Sequence, residues 1–528
     1  MVRSDSIAIT ADVLVLGGGP AGTWAAYMAA RAGCKVVLAD KGYCGSSGAT
    51  AASGTNLWQL HAQPEQREAE IAKFLARGSS LAKREWLQAV QAHTDHGTLE
   101  LIRLGYPFPK DLNGQPIRQS LQGPEYMRLM RKTIQQAGVR ILDHAPATRL
   151  LRDADGAGGA EGLLVQSEGA WRVVARSVVV ATGGCAFLSG ALGTNVLTGD
   201  GLLMAAEAGA ALSGMEFSNE YGLASGFSSV TKNFFFLWAT FTTEDGTVLE
   251  KRDKRSIARL LSRQPVYAVL DKADPSIQRA MRATQPIFFL PFDRMSIDPF
   301  TQRFPIALRL EGTVRGNGGI HLTGADCATT VPGLYAAGDA ATRELVAGAT
   351  TGGGSINASW AMTSGRIAGQ AAASYALGLS PRRQAMHPAA EALEDHDHTL
   401  DAAAVERLIA DVQAEVIPFE RNLFRTVPGL HDSLGRLHAL WRTTSRAASA
   451  SPLARDRLRL REAAAMAATA RWMYASALQR KESRGMHVLE DFPTERPELA
   501  NRLLVSGLDE FAFRYEEQSQ HDKKEVSR

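Results

Sequence analysis

The feature that most restricts how this chain can fold lies within residues 11–40. Residues 11–16 read ADVLVL, a short apolar run suited to a central strand buried on both faces. The run passes directly into Gly17-Gly18-Gly19-Pro20-Ala21-Gly22, which fits the pattern G-x-G-x-x-G. An Ala-rich stretch over 21–32 predicts a helix that stops at Gly33, and a second strand over 35–39 ends in Asp40. Gly17 permits the tight turn, Gly19 lets the backbone approach a pyrophosphate, and Gly22 lets the helix pack close to the strand. Unpaired N–H groups and the positive end of the helix dipole then face the diphosphate. Asp40, with Lys41 beside it, is placed to accept hydrogen bonds from ribose hydroxyls. A lone glycine fingerprint is weak evidence, but strand, turn, helix, strand and terminal acid in this order predict a dinucleotide-binding α/β unit.

Two later segments choose between FAD and NAD. Residues 173–180 (VVARSVVV) lead into Ala181-Thr182-Gly183-Gly184, and residues 331–337 (VPGLYAA) lead into Gly338-Asp339. They resemble the turns through which flavoproteins bring the chain back to the cofactor a second and a third time. Three spaced contacts fit a long flavin dinucleotide, so FAD is the expected cofactor.

At 528 residues the chain is long enough for two or three domains. A formal charge of +3 gives no argument for nucleic acid or an anionic membrane surface. Cys34, Cys44, Cys185 and Cys327 lie far apart without a Cys-x-x-Cys pair, which argues against a disulfide framework and a chain-bound iron–sulfur cluster. No apolar run reaches the roughly 18 residues of a membrane span. The early apolar stretch runs into glycines, so it reads as a strand and not as a signal peptide. A soluble, cytoplasmic protein is the expectation. No metal site is expected: His396 and His398 sit in a polar linker, and His93 with His96 lack further ligands. The 49 glycines cluster, which marks close backbone approach to a ligand at a few places.

Several stretches together resemble the flavoprotein family of fumarate reductase, succinate dehydrogenase and L-aspartate oxidase. Ser47-Gly48-Ala49-Thr50-Ala51-Ala52-Ser53-Gly54 stands where that family places its small-residue loop beside the flavin. Thr198-Gly199-Asp200-Gly201, Met215-Glu216-Phe217, Gly318-Gly319-Ile320 and VPGLYAAGDA follow in family order. Residues 352–355 lead into a helix expected to end at Gly365-Arg366-Ile367-Ala368-Gly369, and Arg480-Lys481-Glu482-Ser483-Arg484-Gly485-Met486-His487 matches R-K-E-S-R-G-x-H. The resemblance spans about residues 10–495. It implies an α/β fold with a Rossmann-like FAD-binding domain (1–220 and 313–385), an inserted α+β capping domain (221–312) and a C-terminal helical domain with tail (386–528). Residues 401–417 and 460–481 carry helical spacing of their own, and a polar tail begins after about Phe513. Gly354, Ser355 and Asn357, at the start of the helix after the glycines, are expected at the flavin pyrimidine edge.

The family's substrate chemistry is not reproduced. Gly48 occupies the position of the histidine that bonds the flavin in covalent members, so noncovalent FAD is expected. Ser218-Asn219-Glu220-Tyr221-Gly222 replaces the H-P-T-G stretch, Val314 stands at a second substrate histidine, and Ala347-Gly348-Ala349-Thr350-Thr351 lacks the arginine of H-G-A-N-R. A dicarboxylate needs charge-assisted partners in a dry site, and three are missing together. Fumarate, succinate and aspartate are therefore poor substrates for this chain. Lys254-Arg255-Ser256-Ile257-Ala258-Arg259 resembles the P-R-D-x-V-x-R segment, which puts Arg255 at the family's proton-transfer position; a solvated basic helix face is the plainer reading. Tyr221 and Glu220, at the lost histidine, are the next catalytic candidates, against a packed aromatic at a junction. The run Phe234-Phe235-Phe236-Leu237-Trp238 is expected to be a buried strand rather than a cavity lining.

Three functions follow. The first is an FAD-dependent dehydrogenase or reductase passing hydride between flavin N5 and a small organic molecule. Ala361-Met362-Thr363 after the glycines also resembles ketosteroid dehydrogenases, a sub-class of it. The second resembles the adenylylsulfate reductase flavin subunit and needs a ferredoxin-like iron–sulfur partner. The third is a flavoprotein whose substrate site has decayed into an electron-transfer or binding subunit.

Overall fold

The computed structural model describes residues 6–58, 63–111, 113–231, 234–379, 386–389 and 397–516. A five-stranded parallel sheet organises the chain, in the order Leu334–Ala336, Ser177–Val180, Val13–Leu16, Val36–Ala39 and Arg140–Leu142. The middle three strands are fully buried Val/Leu/Ala-rich runs with Ser177 at one start, as expected for strands covered on both faces. Register aligns their carboxyl ends: Leu16 pairs with both Ala39 and Val180, and Val180 pairs with Ala336. The glycine turn, Asp40, the Ala-Thr-Gly turn and the Gly-Asp turn therefore leave the sheet side by side. Binding crevices of open α/β sheets form at this edge.

The first turn depends on two glycines. Gly17 has φ +104°, and a Cβ there would stand 2.3 Å from the Ala181 carbonyl oxygen. A Cβ on Gly22 would lie 1.8 Å from the Gly17 carbonyl oxygen. The helix Pro20–Arg31 is thus pressed onto the turn that starts it. The long helix Gly353–Gly378 crosses it through small residues: a Cβ on Gly365 would stand 2.3 Å from the Ala21 oxygen, and one on Gly369 2.3 Å from the Ala25 oxygen. The glycines of Gly365–Gly369 are a packing seam in mid-helix and not the helix end that the sequence predicts.

A second sheet runs Ser6–Thr10, Gly169–Val174, Gly156–Leu164, Ala147–Asp153 and His387–Pro388. A third, antiparallel, has the order Glu220–Ser225, Phe304–Glu311, Val266–Val269 and Thr240–Thr243, flanked by the helices Lys254–Leu261, Pro275–Thr284 and Pro286–Arg294. It carries its own aromatic core, with Phe288, Phe292 and Phe304 among its members. The C-terminal helices Ala402–Val416, Val427–Ser445 and Ala454–Gln479 follow, the last buried over most of its length. This is the expected α/β architecture with an inserted α+β unit and a helical end.

Two details differ from the sequence reading. Phe235–Trp238 is a 3-10 turn and not a strand; Phe235 and Phe236 are buried, while Phe234 and Leu237 are 44% and 73% exposed. Ala512–Tyr515 pairs with Leu503–Ser506, so the tail begins later than Phe513. His396 lies outside the described residues, and His398 sits in the strand His398–Leu400. Among the described residues, no helix is long and apolar enough to cross a membrane, and no His/Cys/Asp/Glu group could hold a metal ion.

Candidate cofactor and active site

A cavity with 1490 Å³ of atom-free space, its open mouth included, lies along the carboxyl edge of the parallel sheet. The structure brings most of the sequence-derived candidates to its wall. From the first turn come Gly17, Gly19, Pro20 and Ala21; from the second strand and following loop come Asp40, Lys41, Ser47, Gly48, Ala49 and Gly54. Ala181, Thr182, Gly183 and Asp200 line it farther on, and Gly338, Asp339, Gly354 and Asn357 complete the set. Gly22, Ser53 and Ser355 do not line it. Gly22 is spent on packing, and Ser53 is 2% exposed with its hydroxyl on the neighbouring Gly54 carbonyl. Ser355 is in the first turn of the helix Gly353–Gly378, outside the lining.

Hydrogen bonds hold this wall in place. The Asp40 carboxylate accepts from the Gly18 and Gly42 amides and from the Ser47 hydroxyl, which ties the glycine turn to the following loop. Ser364 Oγ accepts from the Gly338 amide at 2.9 Å, and Trp360 Nε1 donates to the Gly338 carbonyl at 3.0 Å. One long helix thus fixes the last turn. Lys41 Nζ is surrounded by Thr198 Oγ1 at 2.7 Å, Asp200 Oδ2 at 2.8 Å and Glu462 Oε1 at 2.6 Å. Burial alone would lower the pKa of its ammonium, but Asp200 and Glu462 outweigh burial and raise it. Arg343, 1% exposed, pairs with Asp339 and donates to the carbonyls of Thr313, Val314 and Gly316. It clamps the short helix Gly312–Arg315 against the Gly-Asp turn.

The wall fits a flavin dinucleotide. A Cβ at Gly19, Gly48 or Gly354 would meet no atom within 4 Å, so backbone is open to a ligand at three separate points. Asp200 Oδ1, Asn357 Oδ1 and Gln285 Oε1 are buried on lining residues without a hydrogen-bond partner among the described residues. Buried polar atoms rarely stay orphaned, and these three call for hydroxyl or imide N–H donors from what fills the cavity.

The catalytic candidates lie elsewhere. Tyr221 is 1% exposed; its hydroxyl donates to the Ile417 carbonyl at 2.9 Å and its ring meets Phe419 edge-on. Burial pushes its phenol well above the ordinary value, which suits a packed tyrosine and not an acid or base. Glu220 is buried and paired with Lys254. Arg255 donates to the Leu423 carbonyl and lies 4.9 Å from the Phe424 ring centroid, with Glu490 at 3.5 Å. None of the three is among the lining residues.

Sequence reasoning missed Arg315, Gln285 and Phe234, which do line the cavity. Arg315 is the more telling: its guanidinium lies 3.6 Å from the fully buried Glu311 carboxylate. Burial would lower its pKa, but Glu311 and Glu220 outweigh burial and raise it. A signal existed, because Arg315 directly follows Val314 and is the one Lys or Arg between residues 312 and 342. Phe234 stands in the aromatic run for which the sequence favours burial over cavity lining, and it does line the cavity; Gln285 gives no signal, and only folding of the inserted sheet brings it to the wall.

Comparison with known proteins agrees with this geometry. The FAD binding domain family matches residues 12–221, and the fumarate reductase flavoprotein C-terminal family matches residues 415–522. L-aspartate oxidase of Mycobacterium leprae is 27% identical over 95% of this chain and 96% of its own length. The fumarate reductase flavoprotein subunit of Mycobacterium tuberculosis is 24% identical over 92% of this chain and 93% of its own. Among solved structures, a mutant form of E. coli quinol fumarate reductase superposes with a TM-score of 0.82 at 20% identity, covering 97% of both chains. Adenylylsulfate reductase from Archaeoglobus fulgidus gives 0.77 at 18% identity, over 98% of this chain and 97% of that one. Both structural likenesses bear on the fold. FAD is the cofactor, and the chain is an oxidoreductase.

Proposed function

Because this chain belongs to the flavoprotein family of fumarate reductase, succinate dehydrogenase and L-aspartate oxidase, we propose that it is an FAD-dependent dehydrogenase or reductase acting on a small organic substrate other than fumarate, succinate or aspartate. Bound along the carboxyl edge of the sheet, FAD supplies a hydride acceptor and donor at its N5. Gly17, Gly19, Pro20 and Ala21 would hold its pyrophosphate, Asp40 its ribose, and Gly48, Gly354 and Asn357 its ring. Gly48 brings no nucleophile, which supports noncovalent binding. The proposed cap, residues 221–312, contributes Phe234 and Gln285 to the wall.

One observation carries the substrate reading: among the described lining residues the cations are Lys41 and Arg315, and Lys41 is already surrounded by two carboxylates and a hydroxyl. Arg315 is left as the one cation able to meet a substrate oxygen, and it shares its charge with Glu311. A dicarboxylate would leave one carboxylate without a partner, at a cost of several kcal/mol. A substrate with one carbonyl or one carboxylate fits, with Arg315 orienting that oxygen and Phe234 shielding the mouth.

The test is anaerobic bleaching of the flavin band with matched monocarboxylates, ketones and dicarboxylates. Bleaching by a mono-oxyanionic or carbonyl compound supports the reading; saturable bleaching by succinate or aspartate, or saturable reoxidation of the reduced flavin by fumarate, sinks it. The four cysteines are each buried and unpaired. We therefore take the electron partner to be a separate ferredoxin-like iron–sulfur protein, and rapid reoxidation by oxygen without one would exclude that arrangement.

A further inference from the structure

A second cleft opens away from the cofactor cavity. It lies where the strands Ala147–Asp153 and Gly156–Leu164 meet the helices Val427–Ser445 and Ala454–Gln479. Its atom-free space is 890 Å³, open mouth included, against 1490 Å³ for the cofactor cavity. That leaves room for a small organic molecule.

The chemistry of the wall is one-sided. Arg149, Arg457 and Arg461 line it, and among the described residues no acidic side chain does. Arg461 is held by the Glu207 carboxylate through both terminal nitrogens, so its position is fixed. Glu161 stands 4.0 Å from Arg149 and 2.9 Å from Arg172. Arg457 is exposed, and among the described residues its side chain has no ion pair or hydrogen bond. The apolar part comes from Trp441 and Leu460, which are 3% and 7% exposed. Ser445 adds a hydroxyl. Three guanidinium groups around a small apolar wall, with one of them unpaired, leave positive charge unmatched by the protein. Charge-assisted bonds from guanidinium to carboxylate or phosphate are the strong kind, and an aryl or alkyl body would pack against the apolar wall that Trp441 and Leu460 help to form.

We propose that this cleft is a binding site for a small organic anion, a carboxylate or phosphate monoester on an apolar body, with the anion met by Arg457 and Arg149 beside an Arg461 that Glu207 holds in place. The site is separate from the substrate reading above and stands whatever the substrate is. Its wall is tied to the cofactor wall through neighbouring residues. Arg461 adjoins Glu462, which pairs with Lys41, and Glu207 ends the helix that Asp200 begins.

The experiment is isothermal titration of the FAD-loaded protein with phenyl phosphate and benzoate, using benzyl alcohol as the neutral comparison. Saturable binding of the anions and none of the alcohol is expected. Arg457→Glu should weaken the anions at least tenfold while keeping FAD content and melting temperature, because its side chain holds nothing else. Arg315→Lys, in the cofactor cavity, should leave them unchanged. No saturable binding to the wild type, equal binding of the alcohol, or binding that survives Arg457→Glu but is lost in Arg315→Lys would each overturn the site.

Discussion

Arg315 Nε and Glu311 Oε2 stand 3.6 Å apart, one helical turn from each other, and the carboxylate is fully buried. Among the described residues neither Glu311 oxygen has a hydrogen-bond partner, so the guanidinium is its counter-charge as well as a wall of the cavity. Removing the arginine would strand a buried charge at a cost of about 3–5 kcal/mol. Arg315→Lys keeps the charge and loses the planar fork. It is expected to lower kcat/KM for the substrate by about 100-fold, the effect of misplacing one preorganised donor. Steady-state kinetics with a flavin-to-protein ratio checks this: turnover should fall while FAD content holds.

Gly19 and Gly22 separate ligand contact from folding. Gly19 has φ −72° and open space at its Cβ position, so Gly19→Ala should fold normally. The added methyl should raise the Kd for FAD by about tenfold, ~1.4 kcal/mol. Gly22→Ala meets backbone and should destabilise by more than the about 1–3 kcal/mol of ordinary overpacking, with FAD lost as a consequence. Melting curves of apo and FAD-loaded protein distinguish the two.

Arg255 offers a decisive variant, because the resemblance and the geometry disagree about it. Its bonds run to Leu423, Phe424 and Glu490, so Arg255→Ala should cost about 1–2 kcal/mol of stability and leave turnover within a fewfold of wild type. A drop of several orders of magnitude with unchanged melting would return Arg255 to the chemistry.

What the sequence made legible was what local backbone rules govern. The parallel sheet, the glycine turn and the order Asp40, Ala181, Gly338 could be read because strand period, tight turns and helix starts leave their mark within a few residues. The site beyond the cofactor was not legible in the same way. Tyr221 stands at the aligned histidine, yet strand pairing with Leu310 and the nearby Ile417 carbonyl turn its hydroxyl into a packing contact. Arg315 is one residue past an aligned position and does face the cavity. Alignment gives the place along the chain; the direction of a side chain depends on partners hundreds of residues away.

Acid should unfold the protein in a predictable window. Burial holds His321 down at about 3, with Arg502 and Arg514 adding to the effect, and holds His93 at about 4; His487, buried beside Arg425, is also well below the ordinary value. The unfolded chain takes up these protons near pH 6.5 and the folded one does not, so stability is complete above about 6.5 and falls as pH drops toward 4. Each suppressed histidine contributes about 1.4 kcal/mol per pH unit in that window. Glu344 and Glu216 work the other way: burial raises both, Glu344 to about 7 with Glu216 adding to it, so the folded state gains protons there and offsets part of the histidine effect. Urea midpoints measured from pH 7 to 4.5 should fall steadily, and His321→Asn should flatten the slope.

The seam where Gly365 and Gly369 meet Ala21 and Ala25 makes the two helices one rigid caliper. One jaw is the first turn of Pro20–Arg31, the other the first turn of Gly353–Gly378, and both open onto the same cavity. A side chain at either glycine would meet the backbone of the other helix, so the close approach that sets the gap between the jaws is written into the two glycines before any ligand arrives. The chain therefore gauges the length of what it binds. Three of the four residues that set the gauge, Ala25, Gly365 and Gly369, do not line the space being measured.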